Sequence, residues 1–145
     1  MILWRHADAE NGSPDSARKL TERGRQQAAR AAAWLKPHLH KQRYEILVSP
    51  ATRAQQTALE LGLPFSTSAA AGVDAHAGDI IAAAHWSGNS GAVVIVGHQP
   101  TLGRVAAKLL SGAEADWDIG KGALWWIREG ADRTTLIAVF DPEFA

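Results

Sequence analysis

Arg5 and His6 stand together at the end of a short apolar run, Ile2-Leu3-Trp4, that starts almost at the first residue. A guanidinium offers a rigid fork of donors, and an imidazole can be nucleophile, base or donor near neutral pH. The pair therefore suits an anion, and phosphate above all. Two more residues of the same kinds follow apolar runs later in the chain. Arg53 lies just beyond Tyr44-Glu45-Ile46-Leu47-Val48-Ser49, and His98 closes Ala92-Val93-Val94-Ile95-Val96-Gly97. Arg18, in the polar stretch after His6, is a further candidate for the same pocket, against the plain alternative of a solvated loop arginine.

For these residues to meet, the apolar runs must be neighbouring strands. Runs of four to six apolar residues fit the buried strands of a mostly parallel sheet, and ligands of such sheets gather beyond the carboxyl ends of the strands. Ala7 to Asp15 is rich in breakers and reads as a loop. Thr21 is placed to cap a helix whose packed face is Ala28, Ala31, Ala32, Leu35 and Leu39, with Pro37, His38 and His40 at a solvated, fraying end. Ser49-Pro50 opens a helix from Ala51 to about Gly62. Residues 63–73 hold room for a short third strand. A helix is expected from Asp79, its cap, to His85 or Trp86. Pro100 opens another, with Leu102, Val105, Ala106 and Leu109 on one face. Residues 112–122 form a loop. Ala123–Arg128 and Thr134–Phe140 form a hairpin across Gly130, in which Trp125 and Trp126 face opposite sides. Trp86 and Trp117 are expected to line the mouth of the site. The alternation of strands and helices over residues 1–145 implies one domain, a three-layer α/β/α sandwich.

Bulk composition narrows the chemistry. Fifteen basic residues balance fifteen acidic ones, so no electrostatic footprint argues for nucleic acid or an anionic membrane. No apolar run reaches the length of a membrane span, and no signal-peptide pattern opens the chain, so a cytoplasmic protein is expected. The absence of cysteine excludes disulfides, thiolate zinc sites and a cysteine nucleophile. His38-x-His40 has no carboxylate or cysteine nearby in sequence and is not taken as a metal site. Asp116-Trp117-Asp118 follows a helix rather than a first strand and is discounted as a phosphotransfer motif. No Gly-x-Ser-x-Gly elbow and no Walker loop is present.

Four blocks of the chain resemble the histidine phosphatase superfamily, related to phosphoglycerate mutase. They are Arg5-His6-Ala7, Leu20-Thr21-Glu22-Arg23-Gly24-Arg25-Gln26-Gln27-Ala28, Ser49-Pro50-Ala51-Thr52-Arg53-Ala54-Gln55-Gln56-Thr57, and Gly97-His98. Ala7 replaces the family's usual Gly. The short chain and Arg18-x-Leu20-Thr21 resemble the SixA-type phosphohistidine phosphatases. The resemblance implies a six-stranded mixed sheet in which the strand at Ala123–Arg128 runs against the others. It also implies that His6 is the nucleophile of a covalent phospho-His6 route. Arg5, Arg53 and His98 would bind the equatorial oxygens, His98 as an imidazolium. The expected activity is a phosphatase that needs neither metal nor cofactor. Its partner would be a phosphorylated protein bearing phosphohistidine, or a small phosphorylated metabolite. A family mutase or phosphomonoesterase and a non-catalytic phosphate-binding module are the rival readings. The general acid is open. Asp74 is the candidate, since Asp79 is more simply a helix cap.

Overall fold

The computed structural model describes residues 1–88 and 90–145. One six-stranded sheet contains β1 (Ile2–Arg5), β2 (Tyr44–Val48), β3 (Ser66–Thr67), β4 (Ala92–Gly97), β5 (Leu124–Glu129) and β6 (Thr134–Phe140). Its order is β3-β2-β4-β1-β5-β6. β1, β2, β3 and β4 pair in parallel, whereas β5 runs against both β1 and β6. The mixed sheet expected from the family resemblance is present.

The helices α1 (Glu22–Leu39), α2 (Thr52–Leu59), α3 (Ala77–Ala83) and α4 (Thr101–Ser111) cover its two faces. Side chains alternate across a strand, so Ile2 and Trp4 meet Ala31, Leu35, Ala54 and Ala58 of α1 and α2 on one face. Leu3, Val93 and Ile95 meet Ile80, Leu102, Val105 and Ala106 of α3 and α4 on the other. Trp125 and Trp126 separate between these two cores as the strand period requires. β4 is buried at every residue, which is why it reads as an unbroken apolar run.

Local chemistry sets most boundaries. Thr21 Oγ1 accepts from Gly24 N at 2.9 Å and caps α1. The helix runs through Pro37, which forgoes one helical bond near the end, to Leu39. His38 is no solvated end. It packs on Trp34 at 4.6 Å and Trp126 at 5.9 Å, and its Nδ1 donates to the Trp34 carbonyl. α2 is shorter than expected and begins at Thr52, since Ala51 is its extended N-cap. α3 begins at Ala77 rather than Asp79. His76 is its cap, and Asp79 sits three residues on, its carboxylate accepting from His76 N at 2.8 Å. Gly112, at φ +85°, ends α4 in the left-handed region where glycine is at ease.

Both sheet edges are blunted. β3 has two residues, and β6 bulges at Ile137, where the register steps from Trp126↔Ala138 to Ile127↔Leu136. Among the described residues, no helix is long and apolar enough to cross a membrane.

Candidate active site

The strand order explains why the four residues meet. β2, β4 and β1 are consecutive and parallel, so their carboxyl ends lie within about 10 Å of one another. Register aligns Arg5 with Gly97 and Val48 with Val96, which sets His6 level with His98 and Ser49 one residue below them, beside Gly97. Arg53 enters from the first turn of α2. A basin of about 340 Å³ results, lined by Arg5, His6, Ala9, Asp15, Arg18, Arg53, Val73, His98, Gln99 and Lys121. The two imidazoles lie 5.1 Å apart, centre to centre.

His6 is held in one tautomer. Its Nδ1 lies 2.8 Å from the Ala7 carbonyl oxygen, which can only accept, so Nδ1 bears the proton. Nε2 is therefore a bare lone pair, and Arg53 Nε donates to it at 3.3 Å. Burial pushes the His6 imidazole down to about 3, and the neighbouring His98 and guanidiniums add to this against the pull of the Ala7 bond. His6 is neutral and poised.

Arg53 is 4% exposed and almost wholly engaged. Besides His6, it donates from Nη1 to the Asp15 carbonyl at 2.9 Å and from Nη2 to Asp15 Oδ2 at 3.1 Å. Nη2 also lies 3.4 Å from His98 Nδ1. A guanidinium only donates, so His98 Nδ1 is an acceptor and Nε2–H donates to Ser49 Oγ at 2.7 Å. Burial, reinforced by Arg53, lowers His98 to about 4. In the ligand-free molecule this buried ring among cations stays neutral, and the imidazolium expected at His98 belongs to the state with a bound dianion. Arg5 Nη1 donates to the Ile119 carbonyl at 2.8 Å, while its buried Nε has no protein partner.

The motif residues that do no chemistry hold the loop after β1. Thr57 Oγ1 accepts from Ala7 N and donates to the Arg53 carbonyl, tying the His6 loop to α2. Gln27 accepts from Asp8 N, and Gln56 accepts from Leu20 N. A Cβ at Gly24 would lie 1.9 Å from the Asp8 carbonyl oxygen, so only glycine lets α1 approach that closely. Ala7, Leu20 and Ala28 form a small buried cluster of their own.

The structure brings Arg5, His6, Arg18, Arg53 and His98 to one basin. Arg18 lines it and donates to Asp15 Oδ1 at 3.0 Å and to the Glu10 carbonyl at 3.1 Å. Asp74 is not brought there. It is exposed on an adjoining groove, because the chain turns at Val73 and presents that side chain to the basin instead. Trp86 lines a cleft at the amino ends of the strands, with Met1 and Trp126, so it is far from any mouth of this site. Trp117 packs on Trp125, and only its carbonyl, accepting from Gln99 Nε2, approaches the basin's rim. Three polar basin residues went unread in the sequence: Asp15, Gln99 and Lys121. Asp15 precedes Arg18 by one turn of 3-10 helix (Asp15–Ala17), a spacing that pairs charges. Lys121, tied to Asp8 at 2.6 Å, left no sequence signal. Among the described residues, no group of three or more His, Asp or Glu is arranged to hold a metal ion.

A family profile described as the histidine phosphatase superfamily, branch 1, matches residues 1–74. The protein histidine phosphatase SixA complexed with tungstate is 26% identical, with 99% of each chain covered and a TM-score of 0.79. Two structures provisionally assigned as phosphohistidine phosphatase SixA share the fold. That from Nakamurella multipartitia is 23% identical over 97% of this chain and 95% of its own, at a TM-score of 0.79. That from Agrobacterium tumefaciens is 21% identical over 97% of both chains, at 0.80. No curated protein matches the chain.

Proposed function

The chain belongs to the histidine phosphatase superfamily, branch 1, and on that premise we propose that it hydrolyses protein phosphohistidine through a phospho-His6 intermediate. The observation that carries this reading is the nucleophile's state. His6 presents an unprotonated Nε2, fixed by the Ala7 carbonyl, in a basin ringed by Arg5, Arg53 and His98. That nitrogen's lone pair attacks phosphorus in line, the bond from phosphorus to the leaving nitrogen breaks, and the departing imidazole takes a proton. Water then attacks phospho-His6, the P–Nε2 bond breaks, and His6 returns to its starting tautomer as phosphate leaves.

Arg53 gives up its bond to Nε2 as the phosphoryl group enters, and its fork turns to the equatorial oxygens beside the unpartnered Nε of Arg5. A bound dianion favours protonation of His98 Nδ1, which then donates to the third oxygen. The arginines supply the charge that a metal supplies elsewhere. A tungstate complex of the 26% identical SixA is consistent with a basin for tetrahedral oxyanions.

The proton donors of the basin limit which leaving group can depart. Asp15 is the one carboxylate lining the basin among the described residues, and bonds from Arg18 and Arg53 hold it below the usual carboxylate range. It is ionised and cannot act as an acid. Lys121 is tied to Asp8, and Asp74 faces the adjoining groove. An alkoxide leaving group requires an enzymic acid, whereas an imidazole, titrating near neutrality, leaves without one. That groove, of about 680 Å³, is lined by Pro50, Ala51, Ala70, Val73, Ala75 and Ala82. Its only charges, Asp74 and Asp79, disfavour an anionic metabolite and suit the surface of a phosphorylated protein, expected in the cytoplasm.

The test is phosphate release from phosphohistidine and from p-nitrophenyl phosphate, with and without EDTA. Wild type is expected to prefer phosphohistidine by about tenfold or more and to ignore the chelator. His6→Ala is expected to turn over neither while keeping its far-UV circular dichroism. Equal turnover by His6→Ala rejects the covalent route, and activity lost to EDTA and restored by magnesium rejects the charge assignment.

A further inference from the structure

The phosphate-binding reading leaves Asp15 unexplained, since a carboxylate inside an anion site repels what the site must bind. Yet Asp15 is built in from both its ends. Its backbone carbonyl accepts from Arg53 Nη1 at 2.9 Å, its Oδ2 from Arg53 Nη2 at 3.1 Å and its Oδ1 from Arg18 Nε at 3.0 Å. One residue thus grips both arginines that reach the basin from outside β1. The side chain is 57% exposed, so it is not sealed in by packing, and its charge is placed where substrate charge would come.

We infer that Asp15 is a positioning residue with a second effect. It aims the guanidiniums of Arg18 and Arg53, and its charge limits how tightly the basin retains a free phosphate. Asp15 competes with the substrate. In the ligand-free molecule the Asp15 carboxylate occupies donors that an oxyanion would otherwise hold, much as a bound anion would. An entering phosphoryl group must share Arg53 with it, and the released product feels the same repulsion. The transferring group, in line with His6 Nε2, is held additionally by Arg5 and His98; the bonds of the Asp15 side chain go to Arg18 and Arg53, while its charge favours the protonated His98 that the transition state uses. Asp15 therefore weakens product binding more than it weakens the transition state, and it favours release.

The inference rests on the anion-basin reading, so the test separates the two by measuring binding apart from turnover. Inorganic phosphate is titrated calorimetrically into wild type, Asp15→Asn and Asp15→Glu, and kcat and KM are measured with phosphohistidine. Asparagine leaves the backbone bond to Arg53 in place and keeps one side-chain acceptor, so it removes the charge together with one of the two side-chain bonds. Phosphate is expected to bind Asp15→Asn about fivefold tighter than wild type, with kcat reduced by more than KM. Asp15→Glu is expected to return phosphate affinity to within about twofold of wild type. Phosphate affinity in Asp15→Asn that is unchanged or weaker overturns the inference, including when only its melting temperature moves. Phosphate binding to wild type without turnover rejects the enzymatic reading alone and leaves this one standing on its binding constants.

Discussion

The two ends of the sheet carry clefts of similar size and different organisation. At the amino ends, about 440 Å³ is bordered by Met1, Ala84, Trp86, Trp126, Ile127 and Arg128. At the carboxyl ends, the smaller basin of about 340 Å³ holds Arg5, His6, Arg18, Arg53 and His98. Volume does not distinguish them in favour of the site. Convergence does: every polar atom of Arg53 that can point somewhere points at His6, His98 or Asp15. Trp86, by contrast, lines its cleft as an extension of the apolar core. Parallel strands deliver successive loops to one end, and that end is where charges from distant parts of the chain can be collected.

The largest effect that would break this contrast comes from removing a guanidinium at each end. Arg53→Gln is expected to lower kcat/KM on phosphohistidine by about a hundredfold or more, as for loss of one transition-state donor. Arg128→Gln, at the other cleft, should leave it within about twofold. Comparable losses in both would mean that the basin is not the site.

A second, smaller effect concerns pH. His6 and His98 sit at about 3 and about 4 in the folded chain, below the ordinary 6.5. The unfolded chain therefore binds more protons, so their contribution is complete above pH 6.5 and is lost as pH falls toward 4 and then 3. Circular dichroism against pH reads that loss. His98→Asn is expected to flatten that slope, and an unaltered acid midpoint would show that these rings do not govern acid unfolding. For the same reason, no acid limb of kcat/KM above pH 5 is expected from His6.

The smallest effect is at the amino end. Trp86→Ala removes a half-buried ring from the core facing α3 and should lower the melting temperature by about 2–8 °C while phosphohistidine turnover stays unchanged. A turnover loss without a stability loss would join the two ends functionally and blur the contrast.

Much of this architecture was legible because it is written in local patterns. The apolar runs of β1, β2 and β4 are buried on both faces and so read without ambiguity. Thr21 caps α1 as its position before Glu22 suggested. Arg5, His6, Arg53 and His98 each follow a strand, and the strand order then brings them together. The misreadings share a cause. Asp74, Trp86 and His38 lie where direction, not type, decides the role, and a turn of one residue sends a side chain to another surface.

Residue types and periodicity alone determined that this chain has parallel strands ending in two imidazoles and two guanidiniums, since burial and turn chemistry act within a few residues. Only the tertiary structure decided that β4 lies between β2 and β1, that Asp15 reaches back to Arg53, and that His98 is neutral in the ligand-free molecule. Those outcomes depend on Coulomb and desolvation energies between groups tens of residues apart, and no local spacing encodes such distances.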